Sequence, residues 1–293
     1  DSGIIWIGPK PSTIISMGNK DIARNLAIKN NLPICPGLNN EDLKKDDLEK
    51  KCNEIGFPIL IKASAGGGGI GMHIANNFEQ LVQSIEKTKN LAQKAFGNSD
   101  IFLEKFISNA RHIEIQVFGL GEKKALHFYE RDCSIQRRFQ KIIEESPAPK
   151  IEQSIIDEMA ESAVNFVTNQ KYEGAGTIEY IYDIDNKKFY FLEMNTRIQV
   201  EHPVTEAVTN FDLVAMQIKF ALNMSIDTIE QSKINKSGHA IECRLYAEDP
   251  TKNFLPSPGK ISKLKIPNTG LHNIRLDIGV DEGDEISFYY DPM

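Results

Sequence analysis

The chain has 293 residues, of which 41% are hydrophobic and 26% are charged, as is typical of a globular protein large enough for more than one compact unit. Its formal net charge of -7 argues against a nucleic-acid partner, because nucleic-acid-binding surfaces need a positive field. No run of about 18 apolar residues is present, so the sequence predicts no segment that spans a membrane.

The four cysteines are widely separated and form no C-x-x-C pair. This spacing favours neither a zinc site nor a disulfide framework, and it is typical of a protein from a reducing compartment. We interpret both ends of the chain as cuts through folded material, because residues 4 to 7 and 286 to 290 have strand-like patterns.

The first part of the chain alternates between helical and strand-like patterns, and Gly18 is expected to break the first helical stretch. The predicted helices cover residues 12 to 30, 41 to 54 and 78 to 95. The predicted strands cover residues 4 to 7, 57 to 63, 72 to 75, 101 to 106 and 112 to 118.

The second part adds a strand at 124 to 129, a helix at 151 to 168 and a hairpin whose strands cover 177 to 182 and 189 to 194, with its turn at Asp185 and Asn186. A helix at 205 to 222 follows, and from residue 238 onward we expect short strands and proline-rich loops. Because helices are mixed with several adjacent strands, the sequence predicts the α+β class with largely antiparallel sheets.

A glycine-rich loop, residues 66 to 71, lies between two predicted strands, with Lys62 on the preceding strand. Glycines let backbone N–H groups approach phosphate oxygens, so we interpret the loop as a lid over a nucleotide. It is neither a P-loop nor a dinucleotide fingerprint, because no helix opens after it. Lys20 is a candidate second phosphate contact. The alternatives are a flexible glycine turn and a solvated lysine.

The strand at 101 to 106 is apolar and then ends on Glu104 and Lys105. This pattern is typical of a strand that ends beside a ligand-binding cleft. There its backbone forms hydrogen bonds with the edge of an adenine, and Lys105 contacts phosphate. An edge strand with solvated charges is the alternative.

Residues 132 to 141 form the main basic cluster of an acidic protein. The cluster lacks the broad basic footprint and the interleaved aromatic residues of a nucleic-acid site, so it favours an anionic substrate. A solvated basic face is the alternative.

Glu179 and Glu193 lie in the two strands of the predicted hairpin. With an odd-numbered loop centred on Asn186, the two carboxylates stand directly opposite each other and require a cation between them. Together with Asn195 they then form an oxygen-only site for Mg²⁺ that bridges ATP phosphates. An even-numbered loop places them on opposite faces and weakens this prediction.

The polar cluster continues beyond the hairpin. In extended geometry, Arg197, Gln199 and Glu201 fall on the same side as Glu193 and Asn195. Two carboxylates, amides and a guanidinium suit a divalent metal and a small anion. The alternative is a solvated strand end with ordinary surface charges.

Taken together, these motifs resemble the ATP-grasp enzymes and, within them, the biotin carboxylases of biotin-dependent carboxylases. The glycine loop is widely shared among ATP users, whereas the other motifs are specific to biotin carboxylases. The motifs are Lys-Ala-Ser-Ala-Gly-Gly-Gly-Gly at 62 to 69, Arg-His-Ile-Glu-Ile-Gln-Val at 111 to 117, Glu-Arg-Asp-Cys-Ser-Ile-Gln-Arg-Arg at 130 to 138, Glu-Met-Asn-Thr-Arg-Ile-Gln-Val-Glu-His-Pro at 193 to 203 and Glu-Cys-Arg at 242 to 244.

The resemblance covers essentially the whole chain and implies an ATP-grasp fold with partial flanking domains. It implies the end of a biotin carboxylase N-terminal domain at residues 1 to 32, the ATP-grasp domain at 33 to 236, and the first part of the C-terminal domain at 237 to 293.

The resemblance also implies a role for each matching residue. Glu201 resembles the base that deprotonates bicarbonate, Lys141 and Arg197 the clamp on that anion, and Arg244 the group that stabilises the biotin enolate. Glu179, Glu193 and Asn195 match the site for Mg²⁺ or Mn²⁺. The positions that match nucleotide or cofactor contacts are Lys20, Lys62, Gly66, Gly67, Gly68, Gly69, Glu104, Lys105, His112, Gln136, Gln199 and Val200.

The implied reaction is the ATP-dependent carboxylation of biotin by bicarbonate through carboxyphosphate. Biotin is then a substrate carried on a carrier domain, and a carboxyltransferase component is a further partner. The family resemblance further implies a homo-oligomer for the full-length protein, in the cytoplasm or the mitochondrial matrix.

Two positions depart from the family pattern. Phe139 stands where a polar residue is common and Ile70 where a basic residue is common; the latter is similar to urea carboxylases, as is the run Asn109-Ala110-Arg111. Two other functions stay open: a different ATP-grasp ligase, such as half of a carbamoyl phosphate synthetase, and a nucleotide-binding module without turnover. The sequence leaves the final carboxyl acceptor open.

Overall fold

The computed structural model describes residues 3–44, 46–64, 72–138, 140–267, 273–288 and 292–293. The predicted lid residues Gly66 to Gly69 and the departures Ile70 and Phe139 lie outside this range. The chain divides into two compact units, Asp1–Glu242 and Cys243–Met293. The three-domain division expected from the resemblance stays a prediction.

Seven α-helices are assigned among the described residues of the larger unit. Their bounds are α1 Pro11–Gly18, α2 Lys20–Lys29, α3 Leu48–Ile55, α4 Phe78–Phe96, α5 Gln153–Asn169, α6 His202–Thr209 and α7 Leu213–Ala221. Short 3-10 helices cover Asp42–Lys44 and Gln231–Lys233.

The strands form two sheets of this unit. Their bounds are β1 Gly37–Leu38, β2 Ile59–Ala63, β3 His73–Ala75, β4 Ile101–Lys105, β5 Ala110–Leu120, β6 Ala125–Arg137, β7 Gln140–Ser146, β8 Glu173–Asp183, β9 Lys188–Asn195 and β10 Ala240–Cys243. The four-stranded sheet has the order β1-β4-β2-β3, and the six-stranded sheet has the order β10-β7-β6-β5-β8-β9. Strand β5 pairs with β6 and with β8, and β8 pairs with β9. All three pairings are antiparallel, which confirms the predicted fold class.

The six-stranded sheet separates a hydrophobic face from a polar face. In β5, Ile113, Ile115 and Val117 are fully buried in the main core, which also contains α5 residues such as Phe166. Because side chains alternate along a strand, the residues between them point to the opposite face. Burial of each large apolar side chain contributes about 1.5–3 kcal/mol, so this register is strongly specified.

The four-stranded sheet packs against α4, and its core includes Ile59, Ile61 and Leu81. The Asn77 side chain accepts a hydrogen bond from the Gln80 backbone at the start of α4. Gly97 ends the helix in the left-handed region, where glycine has no steric penalty.

The predicted elements differ from the structure at several places. Residues 4–7 form no strand with any part of the chain that the structure describes, and Ile4 is 85% exposed. The predicted helix at 41 to 54 begins only at Leu48, after a 3-10 turn. The helix predicted at 205 to 222 is two helices, because Asn210 adopts a left-handed conformation at the end of α6. Strand β6 is much longer than predicted, and β7 was not predicted.

The smaller unit contains short antiparallel strand pairs and a 3-10 helix, as expected for the proline-rich tail. Its elements are β11 Glu248–Asp249, Pro250–Lys252 as the 3-10 helix, β12 Leu255–Pro256, β13 Gly259–Lys260 and β14 Glu285–Ile286. Among the described residues, no helix is long and apolar enough to cross a lipid bilayer.

Candidate active site

A row of charged side chains crosses the polar face of the six-stranded sheet. Arg131 on β6 is paired with Glu114 on β5, Glu114 with Glu179 on β8, and Glu179 with Glu193 on β9. Three carboxylates at directly adjacent cross-strand positions repel one another unless cations lie between them. The row is therefore expected to collect positive charge.

The prediction that Glu179 and Glu193 face each other is confirmed, but its assumed cause is wrong. Asp183 pairs with Lys188, so the hairpin loop has the four residues 184–187, an even number. The pairing shifts by one position between Tyr180, which faces Phe191, and Glu179, which faces Glu193. A β-bulge at Leu192 thus restores the facing of the carboxylates that the loop alone would have prevented.

Glu179 is almost completely buried, receives hydrogen bonds from three side chains and lies at ion-pair distance from a fourth. Its Oε1 accepts from Lys141 Nζ at 2.8 Å, from Asn195 Nδ2 at 2.8 Å and from Gln199 Nε2 at 2.9 Å. Its Oε2 lies 2.8 Å from His112 Nε2. Burial alone would raise the pKa of Glu179, but the neighbouring His112 and Lys141 lower it well below its usual range.

Lys141 places its ammonium among three carboxylates. Its Nζ lies 2.5 Å from Glu114 Oε2, 2.8 Å from Glu179 Oε1 and 2.6 Å from Glu201 Oε1. Burial would lower the pKa of Lys141, but the three carboxylates raise it far above its usual value. An ammonium has three N–H donors, so all three are used here. The predicted base and the predicted anion clamp are thus in direct contact.

Glu193 supplies a further carboxylate beside Glu179, whereas Asn195 presents its Nδ2 to that residue. Burial and the Glu179 carboxylate raise the pKa of Glu193, which indicates that the position favours a neutralising cation. Two carboxylates and a carboxamide form the hard oxygen donor set that Mg²⁺ prefers, so these residues fit the predicted metal. A second group, made of His112, Glu114 and Glu179, has ligand atoms within 4.8 Å of one another.

Several residues predicted to contact the nucleotide line one pocket between the two sheets. Glu104 Oε2 lies 2.6 Å from Lys62 Nζ, and Glu104 Oε1 lies 2.8 Å from Arg24 Nη1. Burial lowers the pKa of Lys20 in the same pocket, although Glu193 opposes this effect. The pocket combines cations with apolar surfaces; its lining residues are Lys20, Asp21, Arg24, Lys62, Phe102, Glu104, Phe191, Leu192 and Glu193.

Other predicted residues lie outside that pocket. The Lys105 ammonium donates to the backbone carbonyls of Gly56 and Phe57, at 2.9 and 2.8 Å. Gln136 Nε2 lies 3.1 Å from His112 Nδ1 and contacts that imidazole on the side away from Glu179. The nucleotide contacts of these residues stay predictions.

Residues after β9 leave the extended geometry that the sequence suggested. Gln199 is buried in the cluster, whereas the Val200 side chain is 43% exposed. Arg197 Nη1 donates to the Ile198 carbonyl, and Arg197 lines a separate cavity of about 340 Å³ with Glu193 and Asn195. The period-2 placement fails here because β9 ends at Asn195. Arg244 belongs to the smaller unit, so its role stays a prediction.

Sequence reasoning assigned no role to Glu114 or Arg131, although both lie inside the quoted motifs. A signal was present in β5, where His112, Glu114 and Gln116 alternate with buried aliphatic residues. Three polar residues at period 2 on a central strand indicate a polar face that is covered by something other than solvent.

Comparisons with known proteins identify the family. Residues 19–229 match the model "Carbamoyl-phosphate synthase L chain, ATP binding domain", and residues 242–293 match "Biotin carboxylase C-terminal domain". Biotin carboxylase 1 of Bacillus subtilis is 45% identical over 99% of this chain and 64% of its own length. The mitochondrial methylcrotonoyl-CoA carboxylase subunit alpha of Dictyostelium discoideum is also 45% identical, over 99% of this chain and 41% of its own length.

Two solved structures agree with this result. The biotin carboxylase domain of Hydrogenobacter thermophilus 2-oxoglutarate carboxylase, in complex with MgADP and bicarbonate, has a TM-score of 0.90, with 41% identity over 99% of this chain and 63% of its own. The Campylobacter jejuni biotin carboxylase, in a complex named β-γ-ATP, has a TM-score of 0.89 and 40% identity over 99% of this chain and 64% of its own. The chain thus spans less than two thirds of the length of these relatives.

Proposed function

Since the chain belongs to the family of biotin carboxylase ATP-grasp domains, we propose that it carries out the ATP-dependent carboxylation of biotin by bicarbonate through carboxyphosphate. The observation that carries the proposal is the contact of Lys141 with Glu201 at 2.6 Å, beside the carboxylates of Glu179 and Glu193. A carboxylate base next to a buried cation is the arrangement that bicarbonate activation requires.

Glu201 accepts the proton of bicarbonate in this proposal. Its side chain is 2% exposed, so the proton transfer is kept away from bulk water. Lys141 holds the anion, and it must exchange one of its three carboxylate contacts for a bicarbonate oxygen, since no ammonium donor is spare. Arg197 completes the anion clamp, and Arg244 balances the charge of the biotin enolate.

Lys20 and Lys62 are proposed to bind the ATP phosphates, with Glu104 holding the Lys62 ammonium in place. Mg²⁺ or Mn²⁺ held by Glu179, Glu193 and Asn195 would neutralise charge on the transferred phosphoryl group. The reaction also requires bicarbonate to be aligned with the γ-phosphate, and the protein side chains that bind the anion provide this alignment.

A carbamoyl phosphate synthetase-like activity is the second candidate, because the model that matches residues 19–229 is named after that enzyme. The match of residues 242–293 to a biotin carboxylase domain favours the first candidate. Biotin-dependent cleavage of ATP separates the two.

We further propose a biotin carrier domain and a carboxyltransferase component as partners, and a homo-oligomer as the assembled form. Relatives named as carboxylase subunits support the first two. The cytoplasm or the mitochondrial matrix is the proposed location, because several of these relatives carry the word mitochondrial in their names.

The function is tested by ATP cleavage in the full-length protein. Cleavage should require bicarbonate, and its rate should rise on addition of biotin. A rate of ATP cleavage that does not change on addition of biotin would contradict the proposal.

Lys62→Met should weaken Mg-ATP binding about tenfold or more, because a charge-assisted phosphate contact is lost. Calorimetry on Lys62→Met and on the exposed control Lys87→Met measures this, and equal affinities would remove Lys62 from the nucleotide site.

The metal assignment is tested with Glu193→Gln. Loss of one carboxylate ligand should raise the Mg²⁺ concentration needed for half-maximal ATP cleavage about tenfold or more, since hard cations prefer charged oxygen donors. The matched control is Glu122→Gln, which changes a glutamate that is 71% exposed. A Mg²⁺ requirement equal in both variants would show that Glu193 is not a ligand.

A further inference from the structure

Arg131 is a guanidinium with no solvent exposure that lies beneath the candidate site. A guanidinium has five N–H donors, and each of them has an acceptor here. The acceptors are Glu114 Oε1 at 2.5 Å, Gln116 Oε1 at 2.6 Å, Thr205 Oγ1 at 3.0 Å, Thr177 Oγ1 at 3.2 Å and Gln199 Oε1 at 3.2 Å. The orientation of Arg131 is therefore completely determined by β5, β8, α6 and the turn before α6.

Two of these acceptors connect Arg131 to the reacting groups. Glu114 accepts from Arg131 with one oxygen and from Lys141 with the other, at 2.5 Å. Gln199 accepts from Arg131 with Oε1 and donates to Glu179 with Nε2, at 2.9 Å. Because Lys141 also donates to Glu179, the five side chains form a closed ring.

The ring makes each member depend on Arg131. Only the oxygen of the Gln199 carboxamide can face a cation, so the guanidinium sets which end of the amide points to Glu179. Glu114 is fully buried; burial would raise its pKa, but Lys141 and Arg131 lower it to about 2. Without the guanidinium, the buried Glu114 carboxylate would lose one of the cations that offset its burial, and breaking such a buried pair is strongly unfavourable.

We infer that Arg131 is a positioning residue that holds the Lys141 ammonium in the orientation it uses toward bicarbonate and fixes the Gln199 carboxamide beside Glu179. The inference rests on the proposed function for its substrate and on the ring geometry for its mechanism. Lysine cannot replace Arg131, because an ammonium has only three donors and lacks the planar guanidinium group that binds Glu114 and Gln199 at the same time.

The test is Arg131→Lys in the full-length protein. The KM for bicarbonate should rise by about tenfold to a hundredfold, which corresponds to one or two charge-assisted hydrogen bonds, whereas Mg-ATP affinity should stay within about twofold of the parent. A parent-like KM for bicarbonate would overturn the inference. An equal loss of ATP and bicarbonate affinity would also overturn it, because it would indicate general damage.

Thr205→Val is the matched control. It removes one acceptor of the same guanidinium but leaves the contacts of Arg131 with Glu114 and Gln199, which are the two arms of the ring, in place. It should lower stability and leave the KM for bicarbonate unchanged; a rise as large as that of Arg131→Lys would contradict the role of the two arms. If Arg131→Lys fails to fold, the double variant Arg131→Met and Glu114→Leu removes both buried charges together. Replacing both members of a buried ion pair by apolar residues costs less stability than removing one member alone. This double variant must also raise the KM for bicarbonate, and parent kinetics would overturn the inference.

The outcome can be separated from the proposed function. If the parent protein cleaves no ATP in response to biotin and bicarbonate, the proposed function fails, and the positioning role is then judged by the crystal structure of Arg131→Lys. Displacement of the Lys141 and Gln199 side chains would support the role, and unchanged positions of both would overturn it.

Discussion

Replacing Glu201 with glutamine is expected to lower biotin carboxylation by about 100-fold to 10,000-fold, the usual contribution of a general base. Glu201 is buried, and its Oε1 lies 2.6 Å from Lys141 Nζ. Glutamine keeps the size and can still accept a hydrogen bond from Lys141, but it cannot take a proton from bicarbonate. Mg-ATP binding should therefore stay near the parent value.

The measurement is biotin carboxylation and bicarbonate-dependent ATP cleavage on the same preparations of full-length protein. Arg244→Ala gives the contrast, because it should impair capture of CO₂ by biotin and leave ATP cleavage largely intact. Parent-like carboxylation by Glu201→Gln would show that the base assignment is wrong, and an equal loss of both activities in the two variants would show that the roles are not separable.

The sequence predicts the chemistry of the site better than its geometry. The strands carrying Glu179 and Glu193 were predictable because alternation of apolar and polar residues is a local property of the chain. Tyr180 lies in the core, so alternation alone assigns the neighbouring Glu179 to the opposite, polar face. Alternation alone, however, would place Glu193 on the same face as Phe191, two positions earlier, so the facing of the two carboxylates depends on the bulge.

The bulge at Leu192 was not accessible in this way. A hairpin register is normally set by its loop, and the four-residue loop at 184–187 would separate Glu179 from Glu193. The bulge corrects this because both strands must also bury their apolar faces: Phe191 and Met194 lie in the same core although three positions separate them. Packing of the whole sheet selects the bulge, and packing is not a local property.

Strand β7 and the partners of Arg131 were missed for a related reason. Lys141 ends the basic run at 132 to 141, which predicted an anionic substrate but neither a strand nor the carboxylates that surround this ammonium. Only the pairing of β7 with β6 brings Lys141 within reach of Glu114, which lies 27 positions earlier in the chain. Contacts between residues so far apart in sequence depend on topology, which periodicity does not specify.

Gly119→Ala is expected to destabilise the larger unit by about 3 kcal/mol, because overpacking against backbone cannot be relieved by side-chain motion. A Cβ at Gly119 would lie 2.1 Å from the Tyr172 carbonyl oxygen and 2.6 Å from its carbonyl carbon. The same oxygen accepts a hydrogen bond from Gly121 N at 2.8 Å, and Tyr172 is almost completely buried. The chain between α5 and β8 would therefore have to move away from β5.

Urea unfolding followed by circular dichroism measures this change, and Gly18→Ala is the control. A Cβ at Gly18 meets no atom within 4 Å, and alanine in a helix is favoured over glycine by about 0.5–1 kcal/mol. Gly119→Ala should thus unfold at a lower urea concentration than the parent and Gly18→Ala at the same or a higher one. Equal midpoints for the two variants would contradict the close packing of Tyr172 on β5. Because β5 also carries Glu114, whose position sets that of Lys141, the Gly119→Ala protein should lose bicarbonate affinity even at temperatures where it stays folded.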